Sequence, residues 1–402
     1  DTPTDNVAAY ELYLQGRRFS LGETEISFDT AVDLYKEALK LDPDFKLAWI
    51  GLAQAYINNF WTYGGNPQDL ENCRNAIDKA KAIDPDFPEL YLAEGFYHYW
   101  GLLDYETALL NLDKAIAQMP GNAEAHMWKG WASRRAGLWD QAIDSMLLAV
   151  KLNPRVVINL IETGQTLSYM GRFDEALTIT EQAYEIAPDS FWAKTYLAVM
   201  LLTTHGDIDR ALALVVGAQH TNDPNHLYNY WLVQMMAGRF ETALAFAQTW
   251  TREWEIGLLY IQIRESFIAE TLLAMGRDGE AIVKARETLE RLDKIKQQGI
   301  DDFRVADQAL TAYGMLGEKQ KVTELANRVV STKPADAMED LRFRLRIAQG
   351  YAFAGMTAES VDTLESLLSG KSTISVPWLE LDPTFNRIRN EPEFIALLER
   401  HR

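Results

Sequence analysis

The residues of this chain best suited to chemistry are aromatic, thioether and cationic, and they fall at the spacing of helix faces. Leu92, Phe96, Tyr99 and Trp100 are separated by three or four positions, as are Met127, Trp131, Arg134 and Arg135. Ile161, Gln165, Ser168 and Tyr169 follow the same pattern, then Trp192, Thr195, Val199 and Leu202, then Tyr228, Leu232, Met235 and Met236. Aromatic and methionine side chains suit noncovalent recognition of a flexible apolar segment. The adjacent Arg134 and Arg135 would hold a carboxylate. The candidate partner- or ligand-binding set is therefore Phe96, Tyr99, Trp100, Met127, Trp131, Arg134, Arg135, Tyr169, Trp192 and Tyr228. Stripes at helical spacing serve equally well as core between packed helices, and at this level both readings stand.

Covalent and metal chemistry find little support. The chain has no Gly-x-Gly-x-x-Gly, phosphate loop, Gly-x-Ser-x-Gly or His-Glu-x-x-His motif, so no catalytic residues, metal or cofactor are expected. The single cysteine, Cys73, allows no intrachain disulfide and reads as a small packing residue or, alternatively, a redox thiol. Of the six histidines, His98 and His126 lie one repeat apart; a shared metal would need a third ligand at suitable spacing. The 39 basic and 58 acidic residues give a net charge of −19, which argues against nucleic acid and against an anionic membrane surface. No apolar run reaches the roughly 18–20 residues of a membrane span.

The elements that position these side chains are set by a repeat. Leu41-Asp42-Pro43, Ile83-Asp84-Pro85, Gln118-Met119-Pro120, Leu152-Asn153-Pro154 and Ile186-Ala187-Pro188 close similar phrases, with Pro-to-Pro steps of 42, 35, 34 and 34 residues. A second marker is Gly, then an aromatic residue two positions on, an acid and Ala, as in Gly171-Arg-Phe173-Asp174-Glu-Ala176. Small residues recur in phase: Gly16, Ala53, Gly95, Gly130, Gly164, Ala198 and Ala269 in one helix, and Ala31, Cys73, Ala108, Ala142, Ala176, Ala211, Ala243 and Ala281 in the next. Helices that cross closely need a missing side chain at the contact, Pro stops the second helix, and the intervening Gly ends the first.

A period of about 34 with these markers resembles the tetratricopeptide repeat (TPR) family. The resemblance implies an all-α solenoid, a right-handed superhelix of about nine to ten antiparallel helix pairs whose first helices line a concave groove. The expected organisation is a linker at 1–8, six well-formed units at 9–224, degenerate units at 225–370 and a C-terminal cap at 371–402. The segment 58–68, with Phe60, Trp61, Tyr63, Gly64, Gly65 and Pro67, is expected as an added loop, and Arg286–Ile300 as a lengthened helix. No Pro closes the seventh or eighth unit, so a change of curvature is expected near 250–300. The Lys and Asn pattern that grips chaperone C-termini in some TPR domains is replaced here by mostly apolar residues.

Two further phrases narrow the likeness. One is Asp5-Asn-Val-Ala-Ala-Tyr10-Glu-Leu-Tyr13-Leu-Gln-Gly16-Arg17; the other runs from Trp378 through Asp382-Pro383-x-Phe385-x-x-Ile388-Arg to Pro392-x-Phe394 and Leu397-Leu398. Together they resemble the C-terminal TPR region of bacterial TolB-like/TPR signalling proteins, which are membrane-linked transcriptional activators or nucleotide cyclases. The resemblance implies a non-catalytic sensory scaffold that binds a protein or peptide and regulates an attached output domain, periplasmic within a membrane-anchored parent or, alternatively, cytoplasmic. Two alternatives are kept: a small-molecule sensor with a pocket between the groove aromatics and the 58–68 loop, and an oligomerisation arm. Phe385, Ile388, Phe394, Leu397 and Leu398 form an apolar face that would close the last repeat.

Overall fold

The computed structural model describes residues 3–20, 25–62, 65–217, 224–372 and 374–402. Two compact units are present, Asp1–Pro154 and Arg155–Arg402. In the first, α1 (Val7–Ser20) pairs with α2 (Glu25–Leu41), α3 (Lys46–Thr62) with α4 (Pro67–Ile83), α5 (Glu89–Phe96) with α6 (Tyr105–Gln118), and α7 (Ala123–Arg135) with α8 (Trp139–Leu152). In the second, the pairs are α9 (Val157–Tyr169) with α10 (Phe173–Ile186), α11 (Phe191–His205) with α12 (Ile208–Leu214), and α13 (Pro224–Met236) with α14 (Phe240–Gln248). They continue as α15 (Arg264–Ala274) with α16 (Asp278–Gln297), α17 (Phe303–Met315) with α18 (Lys319–Thr332), and α19 (Ala337–Phe353) with α20 (Thr357–Leu368). The short helices α21 (Val376–Leu381) and α22 (Pro392–His401) follow, with a 3-10 turn at Pro383–Phe385 between them.

Each pair is made possible by absent side chains. A Cβ added at Gly16 would lie 2.8 Å from the Tyr35 ring, and one added at Gly51 would lie 2.6 Å from the same ring. One tyrosine of α2 thus fills the notches of both flanking helices. The Asp-Pro phrases close their units through Asx turns: Asp42 Oδ1 accepts from Asp44 N at 3.1 Å, and Asp84 Oδ1 from Asp86 N at 3.2 Å. Lys46 reaches Asp84 at 2.7 Å and ties the start of one pair to its end. At the turns between paired helices Gly137 and Gly171 take φ of 81° and 74°, which costs a glycine nothing.

The third pair breaks that rule. Gly101 is held within a π-helical turn, Tyr97–Gly101, that continues α5; a Cβ there would lie 2.5 Å from Leu70. Close packing on α4 claims the glycine, and Leu103 takes the left-handed conformation instead, with φ 53°. The wide turn carries Tyr99 and Trp100 round toward α3, and such turns recur at functional sites.

One local expectation is corrected, and the structure adds detail to three others. The segment 58–68 is mostly helix: α3 runs on to Thr62, because Asn58 and Phe60 are buried and Trp61 stacks on the π-helical turn. Tyr63 and Gly64 lie outside the described residues. The N-terminal linker is fastened down: Thr4 Oγ1 donates to Asp42, Asn6 Nδ2 donates to Leu41 O at 3.0 Å, and Asn6 Oδ1 accepts from Ala9 N at 3.1 Å. Near 250–300 the chain inserts an antiparallel hairpin, β1 (Trp254–Ile256) and β2 (Ile261–Ile263), with Trp254 opposite Ile263. The β-branched Ile261 and Ile263 point into a core made with Leu292, Ile295 and Val305. Arg304 donates to Gly257 O at 2.8 Å and Arg342 to Leu259 O at 3.1 Å, so two later helices pin the hairpin's turn.

The last of these concerns residues 371–402. α22 covers the outer helix of the last pair, through Arg400 and His401 to Glu365 of α20. The preceding segment runs along the first helices of the pairs. Ser372 N donates to Tyr169 O of α9 at 2.9 Å, Ser375 Oγ donates to Thr203 O of α11, and Arg387 donates to Phe353 O of α19. Arg389 holds this segment folded by donating to the carbonyls of Leu379, Glu380 and Asp382 at 3.2, 2.6 and 2.6 Å. Trp378, Leu379, Phe385 and Ile388 are all buried.

Two outcomes follow. In Gly314→Ala the new methyl would sit 2.6 Å from the Gly350 carbonyl oxygen, a backbone atom that cannot swing aside. Chemical denaturation should show a loss of about 1–3 kcal/mol, the usual cost of overpacking. Deletion of Pro377–Arg402 should strip the inner face of the second unit and turn the chain aggregation-prone in size-exclusion chromatography. A truncated chain that stays monomeric with unchanged melting would refute the structural role given to the segment.

Candidate partner-binding site

The first unit gathers four of its tryptophans into one array. Trp61 from α3, Trp100 from the π-helical turn and Trp131 from α7 lie nearly parallel. Trp61 and Trp100 are 5.2 Å apart with planes at 6°, and Trp100 and Trp131 are 6.0 Å apart at 8°. Trp128 meets Trp100 and Trp131 edge-on at 4.6 and 4.9 Å, the arrangement the ring quadrupoles favour. The Arg135 guanidinium lies over the Trp61 ring at 4.7 Å. Trp61, Trp100 and Trp131 each stay half-buried, so their outer edges meet solvent. Beside them Gln54 of α3 donates to Glu124 of α7 at 2.5 Å, and Trp128 Nε1 reaches the same carboxylate at 3.4 Å, so the array is tied to both helices.

The candidate residues therefore separate. Trp100 and Trp131 are at the surface of the array, and Tyr99 stacks behind it, buried against Trp61 and Trp128. Phe96 is 0% exposed and Met127 2%, so both belong to the core between pairs and cannot touch a partner. Arg134 and Arg135 are 3% and 8% exposed; both are drawn inside, and no open guanidinium waits for a carboxylate. Of the alternative pocket between the groove aromatics and the 58–68 loop, Trp61, Trp100 and Trp131 are stacked on one another, and Tyr63 and Gly64 lie outside the described residues. In the second unit Tyr169, Trp192 and Tyr228 remain half-buried, and the chain's own C-terminal segment reaches α9 at Tyr169. Sequence reasoning missed Trp128, whose four-residue spacing from Glu124 was the available signal.

The inner face of the second unit is ionic rather than aromatic. Arg342 of α19 meets Asp307 of α17 at 3.0 Å and Glu339 at 2.7 Å, Arg346 meets Glu270 of α15 at 3.3 Å, and Arg264 meets Glu265 at 2.9 Å. Burial alone would favour loss of the Arg342 charge; Asp307 and Glu339 outweigh it and raise its pKa. Arg342 and Arg346 stand one helical turn apart, a spacing that would have disclosed the network. Cys73 is fully buried and burial pushes its thiol far up, which makes it a packing residue. His126 Nε2 contacts Pro120 O at 2.9 Å and His98 Nδ1 faces Asp104 at 3.4 Å, so the two do not converge. Among the described residues no group of three or more His, Cys, Asp or Glu is placed to hold a metal, and no helix is long and apolar enough to cross a membrane.

Antiparallel helix pairs with glycine at the turn and small residues at the crossings define a helical-repeat protein of the TPR type. Residues 95–156 and 161–190 match family models of the tetratricopeptide repeat, so the chain carries these repeats. Over 175 residues it is 26% identical to the Homo sapiens protein O-mannosyl-transferase TMTC1, a match covering 42% of this chain and 19% of that protein, so it spans less than a fifth of that relative. Among solved structures, the human IFIT1 dimer with m7Gppp-AAAA is similar with a TM-score of 0.51 and 14% identity, over 80% of this chain and 72% of that one. TTC0263, a thermophilic TPR protein in Thermus thermophilus, gives a TM-score of 0.40 and 24% identity over 48% of this chain and 100% of that one. These structural likenesses concern the fold.

The buried carboxyls set a pH dependence. Burial raises the pKa of Glu270 from its ordinary 4.5, against the pull of Arg346, and raises that of Asp382 from 3.8, against its hydrogen bonds to Thr384. In the window between each ordinary value and its raised native value, the folded state binds more protons than the unfolded one. Stability therefore falls as pH rises through that window. Urea unfolding from pH 4 upward should show this slope, flattened in Glu270→Gln and in Asp382→Asn. Asn caps a helix about as well as Asp, so the second variant removes the titration and keeps the turn. A slope identical in all three chains would contradict the assignment.

Proposed function

We propose that this chain is a protein-interaction scaffold whose first unit docks an extended, apolar or aromatic segment on the exposed edges of Trp61, Trp100 and Trp131. TPR proteins generally mediate protein–protein interaction and scaffolding, and the fold is typically non-catalytic. The observation that carries this reading is the indole array itself: three nearly parallel rings from three successive repeats, each half-exposed. Indole is the side chain most enriched at interface hot spots, where one ring in a desolvated seat dominates the affinity. The net charge of −19 supports a protein partner over nucleic acid, whose backbone demands a basic surface. The likeness of the two end phrases to TolB-like/TPR signalling proteins supports a place in a larger, membrane-anchored parent, with the repeats in the periplasm and binding relayed to an output domain.

Selection of a random peptide display library on the immobilised 402-residue chain tests the docking face. Enriched peptides should carry apolar or aromatic residues, and their binding should change the indole fluorescence. Trp100→Ala and Trp131→Ala should each weaken a selected peptide by about tenfold or more, the scale of an interface hot spot, while Trp192→Ala leaves it unchanged. Peptides whose affinity survives both first-unit substitutions, in variants that melt like the parent, would place the site elsewhere.

A further inference from the structure

The second unit contains a cavity of ≈190 Å³ where the C-terminal segment crosses the repeats. Its walls come from four separate stretches: Met235 of α13, Glu270 and Leu273 of α15 with Asp278 at the start of α16, Phe353 of α19, and Arg387 of the segment following α21. We propose that this cavity binds a small zwitterion with an apolar body, in chemical class a free aliphatic or thioether α-amino acid. The site is independent of the docking face on the first unit.

Size, charge and geometry each bear on the class. Pockets for drug-sized ligands run to roughly 300–1,000 Å³, so this one takes something smaller. Met235, Leu273 and Phe353 supply an apolar wall that would accept an aliphatic or thioether side chain. Glu270 and Asp278 supply two carboxyls to one lining. Glu270 is buried and only loosely held, with Arg346 at 3.3 Å and Ser266 Oγ at 3.5 Å. Burial disfavours its charge, and a ligand ammonium is the group that restores it. Arg387 donates one N–H to Phe353 O; the guanidinium has five donors, and the others serve a ligand carboxylate. One lining that combines acid, guanidinium and apolar surface matches the three substituents of an amino acid. Because Arg387 belongs to the C-terminal segment and Glu270 to the repeats, the ligand would fasten one to the other.

Isothermal titration calorimetry and thermal unfolding of the 402-residue chain with leucine and methionine test the proposal. Saturable binding at or below about 1 mM, with a raised melting temperature, is expected. N-acetylation removes the ammonium and amidation the carboxylate; each loses a charge-assisted hydrogen bond and should weaken binding by about tenfold or more. Leu273→Trp, which fills the cavity, should abolish binding. Arg387→Gln should weaken it as well; because Arg387 also anchors the segment to Phe353 O, its ligand-free melting is measured alongside, and with Asp278→Asn, an exposed carboxyl of the same lining that should weaken binding likewise, it decides the matter if Leu273→Trp fails to fold. Absence of saturable heat up to about 10 mM would overturn the proposal, and the cavity then holds water only. Equal affinity for free and N-acetylated leucine, or affinity unchanged in Arg387→Gln, would overturn it as well.

Discussion

The structure depends on helices approaching more closely than ordinary side chains allow. At many of the places where helices meet, one of them carries glycine and the other fills the notch. Tyr35 lies against Gly16 and Gly51, Leu112 against Gly95, and Met146 against Gly130. At Gly314 and Gly350 the backbones themselves come into contact. This contact fixes the rotation of each helix about its axis. Rotation in turn decides which residues reach the inner face, so the glycine and alanine positions govern the indole array and the ionic network alike.

That constraint is why the repeat was legible in the sequence. A missing side chain recurring at a fixed phase leaves a mark that composition cannot hide, and turn glycines and Asp-Pro closures mark the ends. What stayed hidden lacks a periodic signal. The extension of α3 through Phe60 and Trp61 reads as a loop until its partners in the π-helical turn are known. That turn arises because Leu70 and Ile57 crowd Gly101, a contact between different repeats. The hairpin of Ile261 and Ile263 is too short for its alternation to stand out. For the candidate residues, the helical phase put them on common stripes but could not separate the layers. Phe96 and Met127 share a stripe with Trp100 and Trp131 and differ by a few ångströms of depth, which only packing determines.

The two units hold their inner faces together by different physics. In the first, stacked indoles and an arginine over a ring supply polarisable, nearly uncharged contact, insensitive to salt. In the second, half-buried arginines bridge buried carboxylates on other helices, where removal of the arginine leaves an uncompensated buried charge. The sequence's acidic surplus obscured this, because arginines that count toward net charge are spent internally. Arg135, Arg342 and Arg346 do their work in the interior rather than as a basic surface.

The course of the C-terminal segment along α9, α11 and α19 also orders events in time. A chain emerging from the ribosome at roughly 5–20 residues per second completes α20 before the residues that cover its own repeats exist. For a few seconds the six helix pairs of the second unit present a bare inner face, with Glu270 and Arg346 open to water and the seats of Trp378 and Phe385 empty. The unit is thus a receptor for its own final stretch, and its maturation is a docking event that any factor able to occupy those seats first would delay.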